Sequence, residues 1–216
     1  MKRPLTPLLL LLALDLLFVG LHLMHAGGWL HDDRFRIDRD NGWAETFQYL
    51  KALVVALLLW RQVGGGSTLM RTWALLFVYL AADDAAMLHE RGGQWLGEGL
   101  GLPHGSHVGQ VLFAGLVGMA FAVALLRAWK RAPEPHQRTS LELLAAVAAL
   151  GTAGVGVDFL HGVVFAGSFD LLFVLAEDGG EHLALTAALW IALTARPSGR
   201  SAGPEPAPRA GSAAVP

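Results

Sequence analysis

Six stretches of this chain are apolar over nearly the length needed to cross a lipid bilayer, and this feature constrains the fold most. A membrane-spanning helix needs about 20 predominantly apolar residues. The stretches that approach this length are residues 5–26, 43–61, 70–90, 108–129, 141–166 and 170–195. The composition agrees, because 54 % of residues are hydrophobic and only 16 % are charged. We therefore predict an all-α polytopic integral membrane bundle of about six transmembrane helices.

The positions of Lys and Arg predict the orientation of this bundle, because both are retained on the cytoplasmic side. If the amino terminus lies inside, eleven basic residues fall in cytoplasmic segments. Only four then fall outside: Arg34, Arg36, Arg39 and Arg91. We therefore expect a multi-pass protein of the inner (plasma) membrane with both termini cytoplasmic.

The two ends of the chain differ in composition. Lys2, Arg3 and the leucine run after them have the polarity of a secretory signal, but Asp15 interrupts the run and no clear cleavage site follows. An uncleaved first helix is the favoured interpretation. Residues 196–216 are rich in Pro, Ala, Gly and Ser, which predicts a disordered cytoplasmic tail behind a transmembrane domain spanning 1–195.

Charge and cysteine content exclude several functions. The net charge is −2, so the chain lacks the excess of basic residues that a nucleic-acid surface requires. With no cysteine, any chemistry must come from histidines, carboxylates, hydroxyls or a cofactor.

Ionisable residues occur inside five of the six predicted spans, where each costs roughly 2.5–3.5 kcal/mol at mid-membrane. Under the predicted topology nearly all of them fall in the outer half of their helices, and Asp15 alone lies nearer the middle. Several helices therefore contribute to one polar site that opens to the non-cytoplasmic side.

Helical spacing predicts which of these residues act together. Asp178 and His182 lie four residues apart, and Asp158 and His161 lie three apart, so each pair shares a helix face. In the third predicted span, which runs to residue 90, Asp83 and Glu90 share a face. On a continuous helix Asp84 and His89 point elsewhere.

Imidazole and carboxylate ligands together suit Zn, Mn or non-haem Fe. We therefore predict a divalent metal site with candidate ligands Glu45, Asp83, Asp84, His89, Asp158, His161, Asp178 and His182. Glu90 and Glu181 are candidate proton carriers. Lys51 either neutralises a surplus carboxylate or acts as proton donor or substrate-anion anchor. The alternative is a purely structural network of ion pairs and hydrogen bonds.

Three further segments carry predictions. Residues 32–40 alternate Asp and Arg, which is typical of a solvated loop. Residues 92–107 are interpreted as a glycine-rich loop. Its His104 and His107 have the spacing of metal ligands, but a position in solvent is the favoured interpretation. Gly179 and Gly180 either allow a neighbouring helix to approach or break their helix at an ion site, and the second option favours a transporter.

The segment Asp83-Asp84-Ala85-Ala86-Met87-Leu88-His89-Glu90 resembles the Asp-Glu-x4-His-Glu signature of uncharacterised polytopic bacterial membrane proteins. Residues 41–45 and 177–181 are similar to the acidic elements that accompany it. The chain departs from the signature at Asp84, where the family has Glu. The resemblance supports the same site residues and implies no particular activity.

The function predicted from these features is a metal-dependent membrane enzyme, either a hydrolase or an oxidoreductase, acting on a lipid or lipophilic substrate. In the hydrolase version the metal activates water for attack on an ester, amide or phosphate bond. The alternative is a proton- or cation-coupled transporter that uses the same carboxylates. Membrane lipids are the expected partners.

Overall fold

The structure is a computed structural model that describes residues 4–62, 67–102, 105–165 and 169–195. The described part is helical and contains no strand. The tail predicted for 196–216 lies outside the described residues, as do His104 and the glycines at 64–66.

Each apolar stretch of the sequence overlaps a long helix. The helices are α1 Thr6–Ala26, α2 Trp43–Arg61, α3 Thr68–Ala86, α5 Gly105–Trp129, α6 Glu134–Gly151 and α7 Asp170–Thr194. Two π-helical segments, Thr152–Val157 and Leu160–Val164, continue α6. A shorter helix, α4 Leu88–Gly99, covers the end of the third predicted span and the first half of the loop predicted over 92–107. The end predicted for the third span therefore needs correction, since residues 88–90 belong to α4.

Three helices are long and apolar enough to cross a membrane: Thr6–Ala26, His107–Trp129 and Glu134–Val164. This finding fits a membrane protein. The helices α2, α3 and α7 carry more charged residues, because they supply most of the polar side chains inside the bundle. Large leucine side chains are exposed around the molecule, among them Leu9, Leu16, Leu116 and Leu126.

The apolar core lies at the end of the bundle where α3 and α6 begin. Leu59, Leu69, Trp73, Phe77 and Leu143 are all at most 1 % exposed there. The indole nitrogen of Trp73 donates to Ser140 Oγ at 2.7 Å, which satisfies both polar groups. The core therefore closes this end of the bundle, and the acidic residues lie at the other.

Glycines hold α4 against the start of α5. A Cβ atom at Gly93 would lie 2.5 Å from the Gln110 backbone nitrogen, and one at Gly97 would overlap the Gly105 backbone. No larger residue fits at these positions without separating the helices. This contact fixes α4 beside the acidic end of α3.

Candidate metal centre

Acidic side chains from four helices and one loop line a single cavity of about 470 Å³. Its polar end is formed by Asp38, Arg39, Asp40, Glu45, Gln48, Asp83, Asp84, His89, Glu90, Glu177, Asp178 and Glu181. Seven of the eleven sequence-predicted site residues are among them. Four are not: Lys51, Asp158, His161 and His182.

Asp83, Asp84 and His89 form the most compact group of metal-ligating side chains in the described residues. One ligand atom from each lies within 4.8 Å of the other two. His89 Nδ1 lies 2.9 Å from Asp83 Oδ2, and the Tyr79 hydroxyl donates to Asp83 Oδ1 at 3.0 Å. The hydrogen bond with Asp83 raises the pKa of His89. Two carboxylates and an imidazole form a donor set that suits a divalent metal ion.

Met87 brings these three residues together. It adopts the left-handed conformation (φ 52°, ψ 45°), ends α3 and starts α4. Asp84 and His89 would lie about 140° apart around a continuous helix. The left-handed turn instead returns His89 towards the acidic end of α3. The sequence-based expectation that Asp84 and His89 point elsewhere is therefore corrected.

The facing wall of the cavity comes from α7, which presents Glu177, Asp178 and Glu181. Gln48 Nε2 donates to the Asp178 carbonyl at 3.5 Å, which links α2 to this wall. Within the described residues, no hydrogen bond or salt bridge satisfies the side chains of Asp84, Glu177 or Glu181. The cavity therefore holds carboxyl groups that no described side chain pairs with.

The π-helical segment 152–157 lets α7 approach this closely. A Cβ atom at Gly154 would overlap Glu181 Oε1, and one at Gly180 would lie 2.8 Å from Ala153 Cβ. Helix α7 runs unbroken through Gly179 and Gly180. Of the two roles predicted for these glycines, close approach is the one observed.

Lys51 and His182 lie together in a separate buried network with Asp15 and Thr186. Lys51 Nζ donates to Asp15 Oδ1 at 2.9 Å and to the His182 carbonyl at 2.8 Å. Thr186 Oγ1 donates to Asp15 Oδ2 at 2.6 Å, and His182 Nδ1 lies 3.2 Å from Asp15 Oδ1. All four residues are at most 2 % exposed. Of the roles considered for Lys51, the structure shows neutralisation of a carboxylate, and that carboxylate is Asp15.

Asp158 and His161 also find partners away from the cavity. Asp158 Oδ2 lies 3.2 Å from His107 Nδ1. His161 Nε2 lies 3.0 Å from Asp170 Oδ1, and the His161 ring stacks on Phe173. The π-helical turns change the angular spacing that an α-helix would give these residues. The single cluster predicted from sequence thus divides into the cavity residues, the network of Lys51 and His182, and two separate pairs that contain Asp158 and His161. The solvent position expected for His107 is corrected, because His107 contacts Asp158.

The loop before α2 contributes residues that the sequence did not predict for the site. Ile37 is 2 % exposed, and its backbone N–H donates to His22 Nδ1 at 3.2 Å. Arg36 pairs with Asp38 at 2.5 Å. Residues 37–40 therefore line the cavity, and Arg39 and Asp40 are also exposed to solvent, as expected for this loop. The isolated apolar Ile37 within a charged run is the one sequence signal for this arrangement.

A family model matches residues 5–196, over most of the chain. The chain belongs to this family. Its description is a domain of unknown function, DUF8692. Searches of curated proteins and of solved structures gave no match.

Proposed function

We propose that this protein is a metal-dependent membrane enzyme that holds a divalent ion (Zn, Mn or Fe) on Asp83, Asp84 and His89. The observation that carries the proposal is the position of these three donors at the wall of one cavity. Three protein ligands leave a coordination position open, which is the arrangement typical of catalytic metal sites. Such an ion supplies Lewis acidity and lowers the pKa of bound water.

The cavity supports a lipophilic substrate. Beyond the carboxylates its walls are apolar, with Leu76 and Leu80 from α3, Phe121 and Leu125 from α5, and Val147 from α6. Trp73 lines the far end, about 15 Å along α3 from Asp83. A molecule with a polar group at the metal and an alkyl chain between these helices matches the lining. Glu90 and Glu181 lie at the polar end, where either carboxylate can accept a proton from the attacking water.

The apolar core also favours an enzyme over the alternative, a proton- or cation-coupled transporter. A carrier needs polar access from both ends of the bundle. Leu59, Leu69, Trp73 and Leu143 fill the end opposite the carboxylates and are at most 1 % exposed. A pocket with one polar mouth suits catalysis.

We further propose six membrane spans, α1, α2, α3, α5, α6 with its π-helical extension, and α7, in the inner membrane with both termini cytoplasmic. Helices of 19, 19 and 25 residues give α2, α3 and α7 lengths close to the hydrocarbon thickness. In this arrangement α4 and the loop before α2 lie on the non-cytoplasmic side with the cavity mouth. A reporter fused after Thr194 is expected to be cytoplasmic, and its export would contradict this topology.

The metal proposal is tested by elemental analysis of protein purified in mild detergent and reloaded with Zn, Mn or Fe. Wild type should hold one ion per chain, and Asp84→Asn should lose it. Glu98→Gln is the matched control, because Glu98 lies on α4 and bonds to Gln94 outside the cavity. Wild type without stoichiometric metal, or equal loss in both variants, would contradict the proposal.

Enzymatic activity is tested separately, by measuring turnover of lipids. Metal-loaded protein is incubated with a polar lipid extract, and products are followed by mass spectrometry. Turnover should require the ion and should fall in Glu90→Gln while the metal stays bound. Product formation that is unchanged after chelation would contradict a metal-dependent reaction.

A further inference from the structure

The cavity has a side opening between α5 and α6. Four of its lining residues are also exposed on the outer surface of the bundle: Gly118 and Ala122 on α5, and Leu144 and Gly151 on α6. Leu144 is 53 % exposed. A Cβ atom at Gly118 or Gly151 would meet no other atom within 4 Å. The gap therefore joins the cavity to the apolar surroundings of the helices.

The opening lies on surfaces that suit contact with lipid. Helix α5 and helix α6 with its π-helical extension are two of the three helices that are long and apolar enough to cross a membrane. Leu116 and Met119 on α5 are each 65 % exposed, and Leu141 on α6 is 56 % exposed. An alkyl chain can therefore pass from the bilayer into the cavity without crossing a polar surface.

The carboxyl groups at the polar end of the cavity favour one kind of head group on such a molecule. Nine carboxylates line the cavity, whereas its basic lining residues are Arg39 and His89. A divalent ion on Asp83 and Asp84 balances those two charges only. The carboxyl groups of Glu177 and Glu181 remain, and no described side chain pairs with either of them. A protonated amine can donate hydrogen bonds to these groups and stabilise their ionised form, whereas an anionic head group would be repelled by them.

From the position of the apolar opening beside these carboxyl groups, we propose that the substrate or ligand is a single-chain amphiphile with a protonated amino head group. It enters between α5 and α6. The amino group binds at the carboxylates of α7, and the chain lies against Leu80, Phe121 and Leu125. This inference rests on the membrane enzyme proposed above and adds both the head-group charge and the route of entry.

The test compares three probes of equal chain length: dodecylamine, dodecanol and dodecanoate. Binding of each radiolabelled probe is measured to zinc-loaded wild type in phosphatidylcholine nanodiscs, with protein-free nanodiscs subtracted. Dodecylamine should bind at one per chain, roughly tenfold or more tightly than dodecanol, as expected for hydrogen bonds between charged groups. Dodecanoate should bind most weakly. Replacing all three α7 acids by Glu177→Gln, Asp178→Asn and Glu181→Gln should reduce amine binding to the level of the alcohol.

The route is tested by a matched pair of substitutions on α6. Leu144→Trp fills the opening and should abolish binding, whereas Leu141→Trp lies on exposed surface outside the cavity lining and should not. Equal binding of amine and alcohol would overturn the charge argument and show that the acids hold their own protons. Preferred binding of dodecanoate would overturn it in favour of the metal as anchor. Unchanged binding in Leu144→Trp would overturn the route.

Zinc content is measured on the same samples, so the two proposals fail separately. A sample with one zinc per chain and no preference for the amine refutes this inference and leaves the metal enzyme standing. A sample that lacks zinc refutes the metal enzyme itself.

Discussion

Replacement of Lys51 by Met is expected to destabilise the protein without removing the metal. Lys51 Nζ forms an ion pair with Asp15, and the side chains of Lys51 and Asp15 are 1 % and 3 % exposed. Breaking a buried ion pair by removing one partner costs about 3–5 kcal/mol, because the other charge stays buried without compensation. For a chain of this size that corresponds to a fall in Tm of roughly 6–20 °C.

The assay is thermal unfolding in detergent together with metal analysis of the folded protein. Lys130→Met is the matched control, because Lys130 is exposed at the end of α5 and its loss should leave Tm nearly unchanged. The double variant Asp15→Asn/Lys51→Met should be more stable than Lys51→Met alone, since it removes the uncompensated charge. A Lys51→Met protein of normal stability that lacks metal or turnover would refute this reasoning and return Lys51 to the catalytic site.

Two further predictions concern the backbone of the site. Met87→Gly should keep the metal and match or exceed wild-type stability, because a left-handed conformation costs a non-glycine residue roughly 1–2 kcal/mol. Met87→Val should lose the metal. Equal metal content in both variants would contradict the role of this turn. Gly180→Ala should lower stability by about 1–3 kcal/mol, because the added Cβ atom would lie 2.8 Å from Ala153 Cβ. Gly156→Ala is its control, because a Cβ atom there meets only ordinary contacts at 3.9 and 4.0 Å. Equal denaturation curves for the two alanine variants would contradict the close packing.

The helix positions could be predicted from the sequence because hydrophobic length is a local property. The same holds for the acidic cavity, because Glu45, Asp83 and Asp178 lie within apolar stretches and are expected to turn inward to a shared polar region. These inferences depend only on solvent exclusion and need no knowledge of side-chain partners.

The contacts that each polar side chain makes could not be predicted from the sequence. A methionine in the left-handed conformation has no sequence signature, so the turn at Met87 that unites Asp84 with His89 was hidden. The π-helical turns likewise rotate Asp158 and His161 away from the positions that α-helical spacing implies. Asp15 stood apart in the sequence, yet an isolated charge in an apolar helix requires a counter-charge. Lys51 was the buried cation available to supply it.

In the proposed centre one imidazole, His89, and two carboxylates bind a single metal ion. Pulsed electron paramagnetic resonance of Mn²⁺-loaded protein tests this ligand set, because it detects coupling between the ion and a ligating nitrogen. We expect one bound Mn²⁺ per chain with ¹⁴N coupling that disappears in His89→Gln and persists in His161→Gln and His182→Gln. Bound Mn²⁺ without nitrogen coupling, or coupling that survives His89→Gln, would contradict the assigned centre.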